Sequence, residues 1–336
     1  MGGRHTLEGL LIDPIGGARP GSLTIEDGLI VEVEERAVSS ALRIFPGFVD
    51  LQVYDPRSLA ETGVTAYLQA AQRPLETEDP LCLGLHLEGP FLNPAAAGAI
   101  PVESLLPVDL GLLSEWLGRG DVRLVTIAPE LEGGLEAIAL TAQTSVAAIG
   151  HTTANAATTR AAIESGARFA THVWNAVAPL RARETGPMST LLLDERVVLG
   201  LIADGRHLHP SVEALTVRVA GPGRIALTSD RVAEPLTPQH RLAGGSRSGA
   251  DLVRRFARFG LAEAAQMASL VPATLLGLGD RGRLAPGYRA DLAILDEDLR
   301  PFETIAGGEI VWTLRYPESR ELDEIPPSTH APGSGA

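Results

Sequence analysis

Between Val49 and Asp230 the chain alternates short apolar runs with stretches of helical spacing. Eight runs stand out: FVDLQVY (48–54), GVTAYLQA (63–70), LCLGLHLE (81–88), VRLVTIAPE (122–130), SVAAIGH (145–151), ARFATHV (167–173), VVLGLIAD (197–204) and RIALTSD (224–230). Most are continuously apolar, which suits strands covered on both faces. Eight such strands with helices between them predict an α/β fold, a (β/α)8 TIM-like barrel. Helices are expected from Asp109 to Leu117, from a cap at Asn155 to near Gly166, and from Pro210 to about Arg218. Segments 249–259 and 261–276 are expected to close the barrel as helices. The first two connections, 55–62 and 71–80, are too short for a crossover with its own helix, so the early barrel wall should be thin.

The two ends read differently. Residues 1–45 and 280–317 carry short β-like pieces separated by Gly/Asp turns, and neither end alone can bury a core. Together they predict a small β-sandwich domain beside a barrel spanning 46–279. The Pro/Gly/Ser-rich stretch 318–336 reads as a flexible tail.

Composition removes several functions. No apolar run reaches the length of a membrane span, and the N-terminal residues lack the apolar stretch of a secretory signal. A net charge of −14 argues against nucleic-acid binding, which needs clustered cations. The single cysteine, Cys82, excludes an intrachain disulfide and a cysteine metal cluster; it reads as a buried thiol, and a cytoplasmic setting follows. Lysine is absent, so no Schiff base can form and no carboxylated lysine can bridge two metals.

The candidate chemistry lies where the apolar runs stop. Five of them carry Glu88, His151, His172, Asp204 or Asp230 at or next to their last position. Singly, a strand-end acid is commonly a helix cap and a strand-end histidine a satisfied polar group. At five equivalent positions they converge, because all strands of a parallel barrel open their carboxyl ends onto one face. Glu88, His151 and His172 offer the three nitrogen and oxygen donors of a catalytic divalent-metal site, zinc by preference, and Asp230 is placed to move a proton. His86 shares a strand face with Glu88 and reads as a core residue. His207 and His209 lie beyond a strand end, where one could contact substrate. His5, His240 and His330 have no context suggesting a role. GGSRSG (244–249) reads as a turn before a helix.

These residues sit in motifs. PGFVD (46–50), HLEGPFLNP (86–94), VTIAPE (125–130), IGHTTA (149–154), THVWNA (171–176), IADGRHLHP (202–210) and the closing GRLAPGYRADLAILD resemble, in order, the N-acetylglucosamine-6-phosphate deacetylases of the amidohydrolase superfamily. The resemblance implies a barrel with a terminal β-sandwich, and a hydrolase of linear amides that removes acetyl from N-acetylglucosamine-6-phosphate in amino sugar catabolism. It implies one divalent metal held by Glu88, His151 and His172, a metal-activated water, and Asp230 as general acid/base. It assigns His207, Arg183, Asn175 and Ala176 to the amino sugar phosphate. In the family that arginine serves the neighbouring subunit's site, so a homodimer is implied.

The chain departs from the family at several points. Gln52 and Tyr54 stand where many amidohydrolases carry His-x-His, which favours one metal over two. Ile100 takes the place of a histidine that polarises the acetyl carbonyl. The regions between the first three strands are short, the excursion after Asp230 is nearly gone, and Arg231 replaces a small residue. Two further readings follow from these differences: an amidohydrolase acting on another amide or cyclic amide, or a catalytically decayed relative that binds a sugar or a partner.

Overall fold

The computed structural model describes residues 3–237 and 242–314, so His240, His330 and the 318–336 tail lie outside the described residues. Four strands come first: β1 (His5–Asp13), β2 (Gly17–Glu26), β3 (Leu29–Glu35) and β4 (Arg43–Pro46). Only Gly47 separates β4 from β5 (Phe48–Val53). A Cβ at Gly47 would lie 2.1 Å from Oγ1 of buried Thr65, so glycine is needed where the chain passes between sheets.

The barrel continues through β6 (Val64–Ala71), β7 (Cys82–Glu88), β8 (Val122–Ile127), β9 (Val146–Ile149), β10 (Phe169–Ala170), β11 (Val198–Ile202) and β12 (Ile225–Thr228). These strands form one parallel sheet in sequence order. Every residue of β5 and β6 is buried, as continuous apolar runs require. The seam between β5 and β12 is joined mainly by point contacts. Ser229 N donates to the Asp50 carboxylate at 3.1 Å, and the amides of Tyr54 and Asp55 donate to Arg231 O at 2.8 and 2.9 Å.

The helices are α1 (Leu110–Leu117), α2 (Gly134–Thr141), α3 (Ala156–Glu164), α4 (Pro187–Leu193), α5 (Pro210–Ala220), α6 (Ala250–Phe256), α7 (Leu261–Ala265) and α8 (Val271–Leu275). Asp109 and Asn155 cap α1 and α3 by accepting from Leu112 N and Thr158 N, both at 2.9 Å. The helix expected over 261–276 is broken by a π-helical turn, Gln266–Leu270, just ahead of Pro272, which has no N–H to give a regular helix.

The early wall is thin. One 3-10 turn, Ala60–Thr62, joins β5 to β6, and the β6–β7 connection contains no helix. The first three residues of β7 are consequently only half-buried, Cys82 among them, so its thiol is less enclosed than the apolar run suggested.

The chain ends join through β13 (Leu292–Leu295), β14 (Pro301–Ala306) and β15 (Glu309–Thr313). Hydrogen bonding runs through one seven-stranded sheet, β15-β14-β13-β4-β1-β2-β3, in which β13 pairs with β4 and interleaves the two termini. The sheet curls until its ends approach: Ile30 N donates to Tyr288 O and Ala290 N to Gly28 O, both at 2.8 Å. Leu11, Leu23, Ile30, Ile44, Ile294 and Ile305 belong to the core it encloses, so one curled sheet does the work of a sandwich.

A candidate metal centre at the barrel mouth

The same local device delivers three of the side chains. Glu88 is the last residue of β7, whereas His151, His172 and Asp230 each lie two residues beyond the end of β9, β10 and β12. All three adopt positive φ, at 49°, 28° and 47°. Trp174 and Ala176 do so as well, at 80° and 50°, and all five line one cleft of about 490 Å³. Such left-handed backbone costs ~1–3 kcal/mol per residue and persists only where the surroundings enforce it. The cost is spent on turning side chains into the mouth.

Glu88 Oε1 lies 2.7 Å from His172 Nε2 and 3.0 Å from His151 Nε2, and the two imidazole nitrogens are 3.1 Å apart. His151 Nδ1 faces the carbonyl of Ala96 at 3.0 Å. A carbonyl only accepts, so Nδ1 carries a proton and Nε2 is the ring atom left to face the site. Nε2 meets a carboxylate oxygen and a second imidazole nitrogen, an arrangement that calls for a metal ion or a proton between them. His172 Nδ1 is buried without a hydrogen-bond partner. Among the described residues, Glu88, His151 and His172 form the cluster of donors able to share one ion, and two imidazoles with a carboxylate fit a divalent metal.

Two residues of β5 and its end complete the shell. Gln52 Nε2 donates at 2.9 Å both to Glu88 Oε1 and to Asp230 Oδ1. The Tyr54 hydroxyl donates to Glu88 Oε2. Burial alone would raise the pKa of Glu88, but its bonds to His151 and His172 hold it well below the usual range. Asp230 moves the other way: burial first, then the charges of Glu88, Asp50 and Asp204, hold its carboxyl well above the usual range, opposed by the Gln52 bond. Tyr54 is likewise held well above its ordinary value, first by burial and then by Glu88 and Asp230, and stays a donor. Two carboxylates with pKa values driven apart are the arrangement by which one site separates a ligand from a proton carrier.

The remaining sequence candidates are dispersed in informative ways. His207, Asn175 and Ala176 line the cleft, as does Ile100. Asp204 is outside the group of metal donors: its carboxylate accepts from Arg206 N at 2.8 Å, from His207 N at 3.0 Å and from His207 Nδ1 at 3.0 Å, which orients that ring. Arg183 is exposed in the 178–186 segment and does not line the cleft of its own chain. His86 is fully buried between Leu51 O (2.9 Å) and Thr126 Oγ1 (2.8 Å), and burial lowers its pKa to about 4, so it is a neutral core residue. His209 accepts from Ser211 N as the cap of α5, and His5 is exposed. In the sequence Gln52 and Tyr54 stand out only as substitutions for histidines; their two-residue spacing at a strand end is the signal that both face the site.

A parallel eight-stranded barrel that gathers two imidazoles and two carboxylates at its mouth defines a hydrolase of the amidohydrolase class. The model of the Amidohydrolase family matches residues 137–311. The chain is 33% identical over 271 residues to the N-acetylglucosamine-6-phosphate deacetylase of Bacillus subtilis, covering 72% of this chain and 67% of that one. It is 36% identical over 245 residues to the N-acetylgalactosamine-6-phosphate deacetylase of Escherichia coli O157:H7, covering 65% of each. The aligned stretches thus span about two thirds of these relatives' own length. A point mutant of the N-acetyl-D-glucosamine-6-phosphate deacetylase of Mycobacterium smegmatis, solved in complex with N-acetyl-D-glucosamine-6-phosphate, superimposes with a TM-score of 0.86 at 29% identity, over 93% of this chain and 100% of that one. The chain belongs to the N-acetylglucosamine-6-phosphate deacetylase family of amidohydrolases.

Proposed function

We propose that this chain hydrolyses the acetamido group of an N-acetyl amino sugar phosphate, N-acetylglucosamine-6-phosphate first, to acetate and the amino sugar phosphate. The observation that carries the reading is the meeting of Glu88 Oε1 with His151 and His172 Nε2 in the cleft that Asp230 also lines. Relatives named for the glucosamine and the galactosamine substrate match at similar identity, so the epimer is a question of assay.

Glu88, His151 and His172 would hold one divalent ion, zinc by donor type, which supplies a Lewis acid and lowers the pKa of water when bound. Asp230 takes a proton from the water that attacks the acetyl carbonyl. It returns that proton to the nitrogen as the C–N bond breaks, so acetate and the free amine leave. Gln52 keeps Asp230 in register with Glu88 through one amide nitrogen that bonds both. His207, Asn175 and Ala176 line the same cleft and orient the sugar phosphate. Arg183, exposed and outside its own cleft, is suited to bind the phosphate in a second copy's site, within a homodimer. Among the described residues no helix is long and apolar enough to cross a membrane, and a lone half-buried cysteine suits a reducing cytoplasm.

The test is acetate release by zinc-supplemented protein from N-acetylglucosamine-6-phosphate, N-acetylgalactosamine-6-phosphate and unphosphorylated N-acetylglucosamine. Release from a phosphorylated substrate that disappears in Asp230→Asn is expected. No release from any of them by folded, metal-loaded wild type overturns the reading.

A further inference from the structure

Glu130 lies three residues beyond the end of β8, in the VTIAPE motif, and does not line the cleft. Its carboxylate is nonetheless heavily engaged. Oε1 accepts from Thr153 N at 2.6 Å, from Asn93 Nδ2 at 2.7 Å and from Thr153 Oγ1 at 3.2 Å, and Oε2 accepts from Thr152 Oγ1 at 2.5 Å. Both anchored segments control His151. Thr152 and Thr153 continue the turn on which His151 is held at φ 49°. Asn93 opens the turn over Pro94–Ala96: its N donates to His151 O at 3.1 Å, and its carbonyl accepts from Ala96 N at 2.9 Å. The carbonyl of Ala96 in that same turn takes the Nδ1 proton of His151.

The main-chain conformation of His151 and the direction of its ring are therefore tethered to one carboxylate. Neither tether would hold by itself. A left-handed non-glycine residue relaxes unless its neighbours are fixed, and an imidazole whose Nδ1 partner drifts can rotate or exchange its proton. We propose that Glu130 is a positioning residue for the metal centre: it holds His151 Nε2, lone pair outward, at the point shared with Glu88 and His172. The proposal rests on the metal reading of those three residues. It assigns Glu130 no contact with ion or substrate.

The experiment measures Zn²⁺ affinity by competition with a chromophoric chelator in wild type, Glu130→Ala and Glu130→Gln, alongside thermal unfolding of each metal-free protein. The d–d absorption of the Co²⁺ form reports the coordination sphere directly. Glu130→Ala is expected to weaken Zn²⁺ binding ~10–100-fold, the usual effect of removing a partner that orients a ligand, and to alter the Co²⁺ spectrum. Glu130→Gln keeps an amide oxygen for Thr153 N and is expected to recover most of the affinity. Glu130→Ala that unfolds at a lower temperature yet binds Zn²⁺ like wild type shows a merely structural residue and overturns the proposal. Wild type that binds neither ion overturns it together with the metal reading, and is distinguished by failing before any substitution.

Discussion

Gln52 offers a way to disturb Asp230, the proposed proton carrier, while leaving Glu88, His151 and His172 themselves in place. Its Nε2 donates to Glu88 and to Asp230, and its Oε1 is buried without a partner, so Gln52→Leu removes two donated bonds and orphans no other protein group on the amide side. A hydrogen bond to a charged group is worth ~1.5–3 kcal/mol, and 1.36 kcal/mol corresponds to one pKa unit. Asp230 is buried, so little solvent screening reduces that figure. The bond lowers the pKa of Asp230 against the burial and the neighbouring charges that raise it. Its loss should therefore move the acid limb of kcat/KM upward by ~1–2 pH units, the limb below which Asp230 is protonated and cannot accept a proton. The assay is acetate release from N-acetylglucosamine-6-phosphate by zinc-loaded wild type and Gln52→Leu, over a pH series. An acid limb that stays put, or moves to lower pH, would show that Gln52 does not tune Asp230.

Three other outcomes are expected. Burial raises the pKa of Asp50 to about 6, despite its bonds from Ser229 and Gln52, so the folded chain binds more protons than the unfolded one between roughly pH 4 and 6 and this residue's contribution falls as pH rises through that window. Urea unfolding of Asp50→Asn should therefore gain on wild type by up to about 3 kcal/mol from pH 4 to 7; a constant difference would remove the assignment. Ile100→His should raise kcat at least ~10-fold if a donor to the acetyl oxygen is what this cleft lacks, because one such donor is commonly worth more than that; an unchanged or lower kcat in the folded variant argues otherwise. Asp204→Asn should free the His207 ring and raise KM roughly 10-fold with kcat retained, the pattern of lost uniform binding, whereas a fall in kcat alone would contradict the orienting role.

The barrel was legible because burial on both faces leaves continuous apolar runs, and because Glu88, His151, His172 and Asp230 interrupt those runs at their ends. Asp204 shows where that signature fails. It ends a run as the others do, but the turn through Gly205 brings the amides of Arg206 and His207 onto its carboxylate, and position alone cannot reveal that capture. Glu130 also ends an apolar run, but its partners stand at positions 93, 152 and 153, which only the folded barrel brings together, so position alone could not show what its carboxylate holds. Helices α2 and α4 escaped notice for local reasons. GLEAIALT follows Gly133 without a polar cap, and PMSTLLL lacks a polar face.

Metal stoichiometry read against a single ligand substitution bears most directly on the shared-ion reading of Glu88, His151 and His172. Elemental analysis of zinc-loaded, dialysed protein should find one zinc per chain in wild type and a clear deficit in His172→Ala that remains folded by circular dichroism. Zinc absent from wild type, or retained at full stoichiometry without His172, would contradict it.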